Sequence, residues 1–124
     1  MPVILPFRPS DGSYRFRSIL LGSEYLFRVR WNSVDRDYAG SWFFDVLEFD
    51  ERPIVIGIKI VLGVYYGRVS THPLFREGAM VPRIPHGDDR REPGFDDMGT
   101  RVQVWYFTRD EVAAEIISGM LRVP

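Results

Sequence analysis

The feature that most constrains this chain is a strict two-residue alternation across its first third. Tyr14, Phe16, Ser18 and Leu20 alternate with Arg15, Arg17 and Ile19. After Gly22-Ser23, Tyr25, Phe27, Val29 and Trp31 alternate with Leu26, Arg28, Arg30 and Asn32. Side chains on a strand point to opposite faces in turn, so this pattern predicts a hairpin with aromatic residues on one face and arginines on the other. Gly22-Ser23 supplies a turn of the glycine-first kind. A helix would scatter both sets around its circumference.

The same period recurs downstream. Trp42 to Phe49 places Trp42, Phe44 and Val46 opposite Phe43, Asp45 and Leu47. Ile54 to Leu62 is rich in β-branched residues, which favours a strand, with Ile54, Ile56, Ile58, Ile60 and Leu62 on one face. Gly57 within it marks a bulge or a close backbone approach. Arg101 to Phe107 alternates again. From Thr108 the period changes: Thr108 and Glu111 fit a capping box, and Val112, Ile116 and Met120 recur every fourth residue, with Gly119 as a stop.

These segments predict a mainly β fold: a small antiparallel barrel or sandwich of five to six strands with one C-terminal helix. Residues 1–12, with Pro2, Pro6 and Pro9, read as an extended arm. Residues 13–107 read as the β domain, with a long irregular loop at 63–100. Residues 108–124 read as helix and tail. A 124-residue chain suffices for one such core.

Composition excludes much chemistry. There is no cysteine, which removes disulfides, thiolate nucleophiles and cysteine-bound zinc. No apolar stretch is long enough for a membrane span, and the first residues lack the pattern of a signal peptide. Asp96-Asp97 and Asp88-Asp89 are adjacent carboxylates in glycine-rich loop, without the set separation that acid–base catalysis needs. Ser70, Thr71 and His72 lack a nucleophile elbow. His86 beside Asp88 and Asp89 reads as a polar loop, and 63–68 lacks the ending of a phosphate-binding loop. The expectation is of no catalytic residue, no cofactor and no metal.

What remains is charge. Lys and Arg total 16, Asp and Glu total 17, and Lys59 is the one lysine. Net charge near zero disfavours nucleic acid as the main partner. Arginine suits interfacial ion pairs, because its planar fork binds carboxylates bidentately, while a high genomic GC content would give the same bias with no function attached. Arg15, Arg17, Arg28 and Arg30 are the first candidates for an interface, with Tyr65, Tyr66, Arg68 and Arg101 as further anchors. Arg28 and Arg30, facing outward, are expected to be dispensable for folding. The alternative is a β-barrel module for single-stranded nucleic acid, which requires aromatic rings on the exposed face.

Phe27-Arg28-Val29-Arg30-Trp31-Asn32, then 42–46, 53–55 with 57–63, and Asp96-Asp97-Met98-Gly99-Thr100-Arg101-Val102 resemble the small baseplate plug proteins of contractile-tailed phages, over residues 14–107. The resemblance implies a mainly β virion protein in the baseplate hub, near the junction of tail tube and spike. It implies no enzymatic activity and no cofactor. Its partners would be hub, tail-tube and spike proteins, with several copies placed by symmetry and assembled in the host cytoplasm.

Overall fold

In the computed structural model, residues 2–9 and 12–117 are described. Seven strands form two antiparallel sheets. The first sheet has the order β1–β7–β6, from Val3–Leu5, Gln103–Thr108 and Gly78–Arg83. The second has the order β2–β3–β4–β5, from Ser13–Leu20, Ser23–Asn32, Ser41–Glu48 and Pro53–Lys59. Between them lies one core in which Phe27, Trp42 and Phe44 meet Leu5, Met80 and Tyr106. The arrangement is sandwich-like. It is not a closed barrel, since no strand pair joins the two sheets.

The predicted hairpin forms with its faces as expected. Tyr14 pairs with Val29 and Phe16 with Phe27, whose rings stack with centroids 4.8 Å apart. The turn sits one residue earlier than expected. Leu20 pairs with Ser23, so Leu21 and Gly22 form the connection, and both have positive φ (52° and 78°). Such a two-residue turn matches the right-handed twist of the flanking strands.

Two strands lie where the sequence predicts none. Residues 3–5 pair with β7, with Val3 opposite Tyr106 and Leu5 opposite Val104. Pro2 and Pro6 bracket this short edge strand and do not interrupt it. Leu5 and Phe7 are buried, so the arm belongs to the core. Within the stretch read as loop, Pro73–Arg76 forms a short helix, α2, and β6 follows it. β6 is buried on both faces, which removes the alternation that marks a half-buried strand. Its Pro82 is tolerated because β6 is an edge. A four-residue turn, α1 (Asp35–Tyr38), interrupts the 33–40 loop and is left-handed at Arg36 and Asp37.

The last helix, α3 (Arg109–Ile117), starts as the capping box predicts. The Thr108 amide donates to Glu111 Oε1 at 2.7 Å, and the Glu111 amide reaches Thr108 Oγ1 at 3.5 Å. Val112 packs with Ala79, Val81 and Phe107 on the outer face of the first sheet, so the helix docks on its own chain. The expected contributions of Gly119 and Met120 lie outside the described residues. No helix is long and apolar enough to cross a membrane among the described residues.

Candidate functional site: an arginine face around Asp45

The outer face of the four-stranded sheet is built by register. Arg15 lies opposite Arg28, and Arg28 lies opposite Asp45 on the next strand. Arg30, two residues on, shares that face. Asp45 is thus set among arginines by strand pairing alone, and its side chain is only 5 % exposed. Its Oδ2 accepts from Arg30 Nη1 at 2.8 Å and lies 3.2 Å from Arg28 Nη2.

Its Oδ1 accepts from the Gly57 amide at 2.7 Å. Gly57 has φ +72°, and the β4–β5 register shifts between Phe44 and Val46. This is the bulge that the glycine predicts, and it aims a backbone N–H at the carboxylate. It also overturns the expected single isoleucine face: Val55 is buried and Ile56 is 52 % exposed. Burial alone would raise the Asp45 pKa. The Arg30 hydrogen bond, the Gly57 amide and the charges of Arg30 and Arg28 outweigh it and hold the carboxyl below its ordinary value.

One carboxylate therefore serves two arginines, and a third faces them. Like charges directly opposed across a ladder are destabilising. Among the described residues Arg15 reaches only Glu51, at 3.8 Å, and Arg17 meets Glu24 at 3.2 Å and the Phe49 carbonyl at 3.2 Å. These are exposed pairs, which contribute little. Arg28 Nε is buried and has no hydrogen-bond partner among the described residues. Ser13, Arg15, Arg28, Arg30, Asp45 and Ile56 border a shallow groove of about 520 Å³ here.

Arg28 and Arg30 are not free surface residues. Both hold a buried carboxylate, so replacing either is expected to cost stability. The aromatic residues of β2 and β3 all point to the core side, away from the arginines, whereas Phe43 of β4, opposite Arg30, shares the arginine face. A stacking platform for single-stranded nucleic acid requires rings and cations on one face.

The other predicted anchors are dispersed. Tyr66 is buried: its hydroxyl accepts from the Val61 amide at 2.8 Å and donates to the Lys59 carbonyl at 2.5 Å, and burial pushes its pKa up to about 12. Tyr65 packs beside the Val81–Phe107 cluster under α3. Arg68 is exposed and borders a second hollow with Arg76 and Arg109. Arg101 is taken up within the chain. It donates to the Asp89 carbonyl at 2.9 Å, the Glu92 carbonyl at 3.2 Å and Asp97 Oδ2 at 2.9 Å. It thereby clamps the charged loop, a role that neither period nor motif could reveal, since its acceptors are mainly backbone.

Of the residues weighed for chemistry, His72, Asp97 and Asp89 make defined contacts within the chain. His72 caps α2, its Nδ1 accepting from the Leu74 amide at 3.1 Å while Nε2 lies 3.0 Å from Glu48. Asp97 accepts from the Gly94 amide at 2.6 Å as well as from Arg101. Asp89 is chelated by Arg91. No group of three or more His, Asp or Glu side chains is placed to hold a metal among the described residues.

Fold and site together define a class: a small two-sheet β protein whose concentrated feature is charge on a sheet face. The comparison with known families is more specific. A family model described as the cyanophage baseplate Pam3 plug gp18 matches residues 3–110, and the chain belongs to that family. This agrees with the resemblance seen in the sequence and identifies a structural protein of the virion tail baseplate. No curated protein matches the chain.

Proposed function

We propose that this chain plugs the hub of a contractile tail baseplate, contacting hub, tail-tube and spike proteins, and that it works by shape and charge complementarity without catalysis or cofactor. Several copies would be arranged by symmetry, as in most assemblies of identical subunits. Assembly would take place in the host cytoplasm. The observation that carries the reading is the arginine surplus around Asp45. Arg28 and Arg30 share the one carboxylate of Asp45, Arg15 lies opposite Arg28 with an exposed pair to Glu51, and an interface that supplies further carboxylates relieves their repulsion. Arg17 extends the same face, while Tyr65, Arg68 and Arg101 belong to a second, weaker set of candidate contacts.

The test is co-assembly. Arg15 and Arg17 are the positions to reverse, because neither holds a buried group. Mass spectrometry of purified particles is expected to find the native chain as a low-copy component. The Arg15→Glu/Arg17→Glu variant is expected to fold but to be lost from the particles. Particles that contain no native chain would overturn the reading.

A further inference from the structure

Sheet edges expose unpaired backbone donors and acceptors, and proteins usually blunt them. Three of the four edges in this fold are blunted. β1 is three residues long between two prolines. β6 carries Pro82 and is covered by the 63–66 segment, whose Gly63 amide donates to the Pro82 carbonyl and whose Tyr66 bridges to Met80. β5 is broken by the Gly57 bulge. β2 is different. It has eight residues, no proline and no bulge, and it pairs only with β3. Among the described residues, no backbone hydrogen bond reaches its other side.

We infer that the free edge of β2 is a docking site for an extended acidic segment of a partner protein, which adds to the sheet as a fifth strand. This rests on the plug reading above and names the chemistry of the contact. Main-chain hydrogen bonds would supply affinity, and alternate side chains would supply specificity. On the outer face, the incoming strand would run beside Arg15 and Arg17, which are 62 % and 46 % exposed and held by exposed pairs and, for Arg17, by the Phe49 carbonyl. Carboxylates at alternate positions fit there. On the other face, the half-buried rings of Tyr14 and Phe16 are already contacted by Arg8 and Phe7, and apolar residues of the incoming strand would pack beside that segment. A second copy of this chain does not fit: pairing β2 with β2 would set two rows of arginines side by side on one face.

The experiment uses the whole chain and a capped peptide of alternating Glu and Val residues. Its controls are the Lys/Val counterpart and a Glu/Val peptide N-methylated at alternate amides. The readout is amide exchange and chemical shift by NMR. The Glu/Val peptide is expected to bind and to slow exchange selectively at residues 13–20. N-methylation or Arg15→Glu/Arg17→Glu is expected to weaken binding about tenfold or more. Circular dichroism would verify that the variant is folded. No binding, binding without protection of β2, or equal binding of the N-methylated or Lys/Val peptide would each overturn the inference. Those results leave the plug reading standing if the chain is still found in particles; its absence from particles removes that reading whatever the peptide does.

Discussion

Arg30 meets Asp45 at 2.8 Å across the β3–β4 ladder, and that contact joins the stability of the sheet to the charge of its surface. The carboxylate is buried while both of its arginine partners are more than 40 % exposed. The pair is therefore dry on one side and wet on the other. Removing either member leaves a different problem behind.

Replacing Asp45 with alanine is expected to cost about 2 kcal/mol, below the usual loss for a fully buried ion pair because the arginines can still reach water. The Gly57 amide loses its acceptor, and Arg15, Arg28 and Arg30 are left facing one another. Urea unfolding at low and high salt checks this. Added salt should recover part of the loss, because it screens the exposed arginines.

Acid should weaken the fold. The carboxyl groups of Asp45 and Asp97 are held below their ordinary value in the folded chain, Asp97 chiefly by its Arg101 hydrogen bond. The unfolded chain then binds protons more readily than the folded one. Their stabilisation is complete above the ordinary Asp range and is lost as pH falls from roughly 4 toward the lowered values. Thermal unfolding followed from pH 7 to pH 2.5 should show the melting temperature dropping over the lower part of that range. Asp97→Asn should flatten part of the drop.

Arg101→Ala is expected to cost about 1–2 kcal/mol and to release the 89–97 loop, since two carbonyls and one carboxylate lose their donor together. Limited proteolysis should find new cleavage within that loop. The β2–β3 hairpin, which supplies none of the three acceptors of Arg101, should keep its amide protection.

Thr108→Ala is expected to cost about 1 kcal/mol by removing half of the capping box. Loss of helical signal without loss of the β signal, read by circular dichroism, would check it.

The parts of the fold legible in the sequence are those set by local pattern. The faces of β2 and β3 follow from alternation, the helix start from Thr108 and Glu111, and the bulge from Gly57. What pattern misses is non-local or buried on both sides. β1 is a strand only because β7 offers it a partner a hundred residues away. β6 shows no alternation because Ala79, Val81 and Phe107 are covered by α3 while Met80 faces the main core. The site divides in the same way. The outward arginines are visible in the period, and Asp45 is visible as their neighbour. The burial of Asp45, and therefore the structural burden on Arg28 and Arg30, depends on how the strands stack laterally.

The position of β7 between β1 and β6 also sets an order of events. Residues 3–5 are made early, yet their hydrogen-bonding partners, residues 104–106, are made late. The β2–β3 hairpin closes across two residues and can form while the chain is still growing. The first sheet cannot. During synthesis Leu5 and Phe7 must wait with their apolar surface uncovered, and the sandwich closes only when β7 has emerged. Closing the first sheet is accordingly a non-local step across about a hundred residues, slower by its nature than closing the hairpin.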